Sequence, residues 1–599
     1  MPDRGPTQQR GRGPRRRWLP AIAAVALLAL AACGSPPGAA PPGRMQITLL
    51  GLNDLHGHLQ PPGLSLNAAG ADQPPDPVAA GGAAYLASLV AAERAAHPHV
   101  AVVAAGDLIG ASPLLSSLFL DEPTIEALNL IGLDFASTGN HEYDQGWQEL
   151  QRMQDGGCER FTRKTPCQLS HPFEGARFRY LAANTLREDG STLFAPTAVK
   201  FFEQDGVRIG VGFIGLTLRN TPLMVRPSGV RGLRFTDEAD AANARIAPLR
   251  AQGADVIVVL IHEGGRSGQP LQDTSCKGLS GDILPIVQRL SSEVDVVISG
   301  HTHQAYLCDY AHIDPAKPLL LTSAGLYGTL LTEIELTVDT ASRRVVERRA
   351  RQHIVRAAAA QTPGNGTAPG YPADPAVAAL IDRYAAAAAP LASAPAGRIA
   401  AAATRRLQAN GESVLGRIAA DAVLAAMQAP EAGGAQIAFM NSGGVRADLV
   451  PAPDGSVTYG QVYAVQPFGN TLMTLTLSGA ELHALLEQQL DSGTNTVDHP
   501  RILQVSQGFG YTLDRSAPPG RRIRGMQLDG TPIVPGQDYR IGVQNYLASG
   551  GDNFSIFARG RHPTGGGLDA DALAEHLRRQ SAGGPMALPL QARIRLDGS

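Results

Sequence analysis

The chain has 599 residues, too many for one hydrophobic core, so two substantial domains are expected. With 44% hydrophobic and 18% charged residues it has the balance of a folded soluble protein and not of a disordered one. A formal net charge of -3 offers no basic face to a duplex, so polymeric nucleic acid is not an expected partner, whereas a small phosphorylated molecule needs only local positive charge.

Residues 1–33 read as a targeting segment. Arg10, Arg12 and Arg15-Arg16-Arg17 form a basic region ahead of a short apolar stretch at 21–32, too short to span a bilayer. Its end, Leu30-Ala31-Ala32-Cys33, resembles a bacterial lipobox, which makes Cys33 the expected lipidation site; cleavage after a small residue is the alternative. The expectation is an exported protein, lipid-anchored to a bacterial cell membrane and facing the periplasm or the outside. Arg16-Arg17-Trp18-Leu19 faintly suggests a twin-arginine signal and leaves the export route open. Residues 34–44, rich in Pro and Gly, read as a flexible stalk. Export implies an oxidising compartment, where Cys158, Cys167, Cys276 and Cys308 can pair in three ways. Proximity favours Cys158–Cys167 and Cys276–Cys308, and the lack of any Cys-x-x-Cys argues against a cysteine zinc site.

From 45 to 354 short apolar runs alternate with helical ones: 45–52, 100–105, 177–183, 208–216, 255–261, 294–299 and 319–323, with a further run at 131–135 expected to end a strand. The runs are continuous more than alternating, as in strands buried on both faces. Residues 355–395 read as a linker followed by an interdomain helix, starting at Asp374-Pro375. Residues 396–599 form a second domain, with helices at 413–427 and 479–490, strands at 436–439 and 539–544, and a hairpin turn at Leu528-Asp529-Gly530-Thr531.

Polar residues cluster at the C-terminal ends of the first domain's strands, where ligand sites of α/β sheets lie. They are Asn53-Asp54-Leu55-His56, Gly106-Asp107, Gly139-Asn140-His141-Glu142-Tyr143-Asp144, Ile261-His262-Glu263 and Gly300-His301-Thr302-His303. Asp54 and His56, like His301 and His303, are i and i+2, so at a strand end both side chains of a pair are expected to face the same side. Two divalent ions about 3.5–4 Å apart need roughly seven protein ligands with one shared carboxylate. Asp107 is the candidate bridge, with Gly106 allowing close approach. The mixed nitrogen and oxygen set suits zinc, manganese, cobalt or iron without singling one out.

These five blocks resemble the signatures of calcineurin-like metallophosphoesterases. The long form at 139–144, with Asn441-Ser442-Gly443-Gly444-Val445-Arg446, Pro467-Phe468-Gly469-Asn470 and Gly550-Gly551-Asp552, narrows the resemblance to the 5′-nucleotidase family. It implies an α/β fold: a four-layer β-sandwich flanked by helices, followed by a second α+β substrate-binding domain. One metal would take Asp54, His56, Asp107 and His303, the other Asp107, Asn140, His262 and His301. The resemblance gives His141 the role of donating to the phosphoryl group, with Asp144 orienting its imidazole, and leaves Glu142 without a role. Asn441, Arg446 and Arg405 are the implied phosphate and nucleotide contacts; Arg406 and Arg417 lie near Arg405 in an uncertain register. Phe468 and Tyr546 would flank the base, and Asn470 and Asp552 would make polar contacts.

The resemblance implies hydrolysis of nucleoside 5′-monophosphates, with UDP-sugars or nucleoside polyphosphates as further candidate substrates. A 2′,3′-cyclic-nucleotide phosphodiesterase with 3′-nucleotidase activity uses the same metal motifs, and a catalytically silent nucleotide-binding lipoprotein is the reading from another class. Thiosulfohydrolase-like chemistry is conceivable on this fold, but the aromatic pair and Asp552 count against it. Oligomeric state is not legible.

Overall fold

The computed structural model describes residues 43–67, 77–162, 164–225, 227–358 and 370–597. Cys33, the expected targeting segment and most of the stalk lie outside the described residues, as does much of the expected linker. From Arg44 onward the chain is one compact unit.

In chain order the first part runs β1 (Arg44–Leu52), α1 (Ala83–Ala96), β2 (Val100–Ala105), α2 (Glu122–Ile131), β3 (Phe135–Ser137), β4 (Arg179–Leu181), β5 (Thr197–Gln204), β6 (Val207–Thr217) and α3 (Glu238–Ala251). It continues with β7 (Val256–His262), α4 (Ile283–Arg289), β8 (Val296–Ser299), β9 (Ala305–Asp309), β10 (Leu320–Ala324), β11 (Leu330–Asp339) and β12 (Arg344–Ile354). Two six-stranded sheets result, ordered β12-β11-β1-β2-β3-β4 and β9-β10-β8-β7-β6-β5. Strands β1, β2, β3 and β4 run parallel, as do β6, β7, β8 and β10.

Alternation along the strands builds the layers. Met45, Ile47 and Leu49 of β1 face Val256, Val258 and Leu260 of β7 in a core between the sheets. Leu50 and Leu52 point the other way, into a core shared with α1 and α2, while Ile257, Val259 and Ile261 meet α3 and α4. Helix, sheet, sheet, helix: four layers, which is why the strands read as unbroken apolar runs.

The run 131–135 is not one strand. Ile131 closes α2, Gly132 turns the chain in the left-handed region at φ 81°, and the strand starts at Phe135. Apolar residues on a helix end, a turn and a strand were contiguous in sequence only. The cysteines pair as Cys158–Cys167 and Cys276–Cys308.

Helix α5 (Pro375–Ala392) starts where Asp374 accepts from the N–H groups of Ala376 and Val377. It does not hang free between domains: Val377, Leu380, Ile381 and Tyr384 enter the first domain's core, and Tyr384 donates to Glu126 of α2 at 3.0 Å. The second part then runs α6 (Val414–Met427), β13 (Ile437–Met440), β14 (Thr471–Ser478), α7 (Gly479–Glu487), β15 (Gln504–Val505), β16 (Asp538–Gln544), β17 (Arg561–Leu568) and α8 (Asp569–Gln580). Its main sheet is ordered β15-β13-β16-β14-β17. Ser413 caps α6, and Ser478 with Glu481 forms a capping box on α7. Among the described residues no helix is long and apolar enough to cross a membrane.

Candidate active site

Parallel register brings the C-terminal ends of β1, β2 and β3 into line, with Leu52 beside Ala104 and Ala105 beside Ser137. In the second sheet Ile261 of β7 lies beside Ser299 of β8. The residues after these ends therefore meet at one edge of the sandwich: Asp54, His56, Asp107 and Asn140 from the first sheet, His262, His301 and His303 from the second.

The side chains do not converge by strand alternation, as the i, i+2 spacing had suggested. Asp54, His56, Asp107, His301 and His303 have φ of 49°, 46°, 50°, 67° and 58°, so each sits in the left-handed region just beyond its strand. For residues other than glycine that conformation costs roughly 1–2 kcal/mol each, a strain that clusters at functional sites. Close backbone approach adds a second demand. A Cβ on Gly106 would lie 2.6 Å from the Gly139 nitrogen, and one on Gly139 would lie 2.2 Å from Asp107 Oδ1.

Two ligand groups result, Asp54 with His56 and His303, and Asp107 with His262 and His301. Nε2 of His56 lies 3.1 Å from Nε2 of His303 and 3.8 Å from Asp54 Oδ1. Asp107 Oδ2 joins the groups, 2.9 Å from His262 Nε2 and 3.5 Å from His56 Nε2. Asn140 Oδ1 stands 3.1 Å from His301 Nδ1, in the second group.

The chemistry of this donor set fits cations. Nδ1 of His56 faces the Gly110 carbonyl at 2.9 Å and Nδ1 of His262 faces the Ala105 carbonyl at 2.7 Å. Donation to those carbonyls leaves a lone pair on each neutral Nε2. The buried Nε2 of His262, close as it is to Asp107, is not aligned to hydrogen-bond it. With such a ring neutral, its lone pair and the carboxylate oxygens point at common centres. With no cation bound, burial would lower His262, but the carboxylates of Asp107 and Asp54 push it up to about 10, so a proton takes the place that a metal ion would. The pocket demands positive charge where two divalent ions would supply it. Burial pulls the His56 ring well below its ordinary value and His301 down to about 3, keeping both available as neutral ligands.

Beside this centre the 3₁₀ turn His141–Tyr143 sets Nδ1 of His141 2.9 Å from Asp144 Oδ2, which also accepts the Ala111 N–H. The other ring nitrogen is left for the cleft. Burial works against a charged His141, but Asp144 and Asp107 outweigh it and raise the group. Glu142, left without a role by sequence reasoning, has one here. Its Oε2 accepts the N–H groups of Asp107 and Gly139 and its Oε1 that of Leu108, all at 2.6–2.8 Å. One buried carboxylate ties the Asp107 loop to the Asn140–His141 loop.

The cleft above the centre has a volume of about 320 Å³ and walls from both parts of the chain. Asp107, Asn140, His141, Asp144, His301 and His303 form one side; Asn441, Arg446, Phe468, Asn470, Tyr546 and Asp552 form the other. The Phe468 ring lies over His141 with centroids 5.5 Å apart and planes 21° apart, and the Arg446 guanidinium is 5.7 Å from the Phe468 centroid. A hydrogen-bonded chain underlies the second wall: Asn470 donates to Gln544, Gln544 to Asn441, Asn441 to Asp552, and the Tyr546 hydroxyl to the other Asp552 oxygen. The Tyr546 hydroxyl also reaches the Leu223 carbonyl at 3.0 Å, across to the first part.

Arg405 does not join the site. It is exposed and outside the cleft lining, with its backbone N–H on Asp448. Arg417 is buried and ion-paired to Glu412 at 3.4 Å, a structural pair. The cationic lining comes instead from Arg446 with Arg266 and Arg501, two positions that sequence reasoning missed. Arg266 follows the Ile261-His262-Glu263 block by three residues, and Arg501 stands in a loop with no motif around it. Gln544, also missed, carried a usable signal, being an amide at the end of an apolar strand.

Comparison with known proteins agrees with this layout. The family model of calcineurin-like phosphoesterases matches residues 47–305, and that of the 5′-nucleotidase C-terminal domain matches 391–559. A probable 5′-nucleotidase of Treponema pallidum is 27% identical over 90% of this chain and 92% of its own length. An endonuclease of Bacillus subtilis is 29% identical over 93% of this chain, but the match spans only 41% of that longer protein. Among solved structures, a 5′-nucleotidase precursor from Thermus thermophilus is 26% identical, with a TM-score of 0.70 over 93% of this chain and 100% of that one. The two domain matches, the order of the motifs along the chain and the shared fold place it together: the chain belongs to the 5′-nucleotidase family of metal-dependent phosphoester hydrolases.

Proposed function

We propose that the protein is a dinuclear-metal 5′-nucleotidase that releases phosphate from nucleoside 5′-monophosphates. The observation that carries the reading is the stack of His141 on Phe468, which sets a phosphoryl-side proton donor directly against an aromatic wall of the nucleoside pocket. Asp54, His56, Asp107 and His303 would hold one ion, and Asp107, Asn140, His262 and His301 the other. When bound, the ions supply Lewis-acid charge at the phosphoryl oxygens and lower the pKa of water at neutral pH.

The remaining work falls to the chain's own groups. Asp144 fixes His141 through Nδ1, so the opposite nitrogen can donate to a phosphoryl oxygen as charge develops there. Arg446 offers a planar fork to the phosphate. Phe468 and Tyr546 present aromatic faces to the base, with Tyr546 oriented by Asp552. Asp552 and Asn441 spend their polar atoms partly on one another, so they present an ordered edge to the ribose.

The test is a panel of AMP, UMP, UDP-glucose, ATP and 2′,3′-cyclic AMP, run with zinc, manganese, cobalt and iron(II) added to chelated protein. The expected result is metal-dependent phosphate release from the monophosphates, with His141→Ala lowering kcat far more than it raises KM. Turnover confined to the cyclic nucleotide would replace the proposal with the phosphodiesterase reading, and nucleotide binding without turnover would replace it with a silent binding protein. The Leu30–Cys33 motif supports export with a lipid on Cys33. Mass spectrometry of the mature N-terminus, with Cys33→Ala expected to release the enzyme from membranes, tests it.

A further inference from the structure

Between β10 and β11 the chain crosses from the second sheet to the first, and the crossing loop, Gly325-Leu326-Tyr327-Gly328-Thr329, passes the candidate metal centre. Its backbone is fastened to the first ligand block. Tyr327 donates its N–H to the Asp54 carbonyl at 2.7 Å. The buried Asn53 gives its side-chain amide to the Gly325 carbonyl at 2.8 Å and to Asp54 Oδ2 at 2.7 Å, and its Oδ1 accepts the Ala324 N–H. Gly325 and Gly328 both have positive φ, and Tyr327 itself has φ 56°, a conformation rare for a bulky side chain. Strain of that kind persists only where the surroundings impose it, and it clusters at functional sites.

The strained turn places one ring. Tyr327 meets His303 edge-to-face with centroids 5.7 Å apart, meets His56 in the same way at 6.0 Å, and stacks on His58 at 3.8 Å with planes 27° apart. The two ligand histidines differ in what else holds them. His56 is fully buried, and its Nδ1 faces the Gly110 carbonyl at 2.9 Å. The His303 side chain is 22% exposed, and among the described residues its Nδ1 has no hydrogen-bond partner. A ligating imidazole is ordinarily oriented by a hydrogen bond from its second nitrogen. The contacts left to fix His303 are with rings, His56 at 5.1 Å and Tyr327 at 5.7 Å.

We propose that Tyr327 is a positioning residue of the metal centre. Its ring, backed by His58, does for His303 what the Gly110 carbonyl does for His56, and so sets how tightly the ion held by Asp54, His56 and His303 binds. The effect is confined to that ion: His262 and His301 of the other group face each other at 5.3 Å and, among the described residues, make no ring contact with Tyr327. The inference rests on the metal-centre reading above.

The experiment uses the full chain, chelated and then titrated with zinc alone. Competition with a chromogenic chelator gives the zinc affinities, and anomalous diffraction from crystals at limiting zinc gives the occupancy of each position. Tyr327→Leu is expected to weaken binding at the Asp54–His56–His303 position about tenfold and to leave the other position as it is. Tyr327→Phe, which keeps the ring, is expected to match the wild type. In a His303→Gln background Tyr327→Leu is expected to add nothing, since the imidazole it acts through is gone. Wild-type affinities in Tyr327→Leu, an equal loss at both positions, a Tyr327→Phe as weak as Tyr327→Leu, or the same loss in the His303→Gln background would each overturn the proposal. Should Tyr327→Leu fail to fold, Tyr327→Met, which also lacks a ring, takes its place in the same comparison. A wild-type chain that binds no zinc at this cluster would overturn the metal-centre reading itself, an outcome distinct from one in which zinc binds and Tyr327 makes no difference.

Discussion

Replacing Glu142 separates acceptor geometry from charge. Burial and the nearby Asp107 push its carboxyl up to about 7, so a full negative charge is not what it contributes at neutral pH. What it contributes is a place for three backbone N–H groups. Glu142→Gln can keep its oxygen at the Oε2 position, satisfying Asp107 and Gly139, while its NH₂ faces the Leu108 N–H. One orphaned buried donor costs about 1–3 kcal/mol. Glu142→Ala orphans all three, about 3–9 kcal/mol if the losses add, which is comparable to the whole stability of a typical domain. The Gln variant is expected to fold with Tm lowered by several degrees and metal affinity lowered about tenfold. The Ala variant is expected to lose ordered metal binding altogether, because the Asp107 and Asn140 loops are no longer held together. Competition with a chromogenic chelator and thermal unfolding with and without metal read both effects. An Ala variant with wild-type metal affinity and Tm would falsify the stapling role.

Phe468→Leu is expected to raise KM for nucleoside monophosphates and also to lower kcat severalfold, since the ring backs His141 and, in the proposed binding mode, would flank the base; steady-state kinetics read the split. Arg446→Ala should lower kcat/KM by roughly 10–100-fold, the worth of a charge-assisted contact, with free guanidine restoring part of the loss. Burial raises the Asp569 carboxyl to about 7 from an ordinary 3.8. Between those values the folded state holds a proton that the unfolded chain has released, so stability falls as pH rises through that window, by on the order of 4 kcal/mol. Asp569→Asn should flatten urea-denaturation midpoints between pH 4 and 7, and an unchanged slope would remove Asp569 as the cause.

Much of this molecule could be read before it was folded. Continuous apolar runs such as 45–52 and 255–261 announced strands buried on both faces, and polar residues at their ends marked the edge where the chemistry gathers. Asp374 announced its helix because capping is local. What stayed hidden depends on contacts distant in sequence or on backbone geometry. Glu142 bonds N–H groups at 107 and 108, and backbone donors leave no side-chain signature. The left-handed turns at Asp54 and Asp107 are invisible because sequence gives residue type, not φ. Arg405 looked as suitable a phosphate ligand as Arg446, and only the direction of the loop excludes it. Helix α5 read as a connector because its apolar stripe cannot name the surface it meets, here the first domain's own core.

The candidate metal centre takes Asp54, His56, Asp107 and Asn140 from one sheet and His262, His301 and His303 from the other. It is therefore a seam. Neither sheet holds the full set, and the set exists only once the layer containing Leu49, Val258 and Ile298 has closed. A metal site that exists only after that closure cannot fill before it, so binding would be coupled to folding in whatever compartment the closure happens. A chain exported unfolded takes its metals from the medium it emerges into, whereas one exported folded carries metals chosen inside the cell. On the proposed export, the route across the membrane would then bear on which cation the site meets.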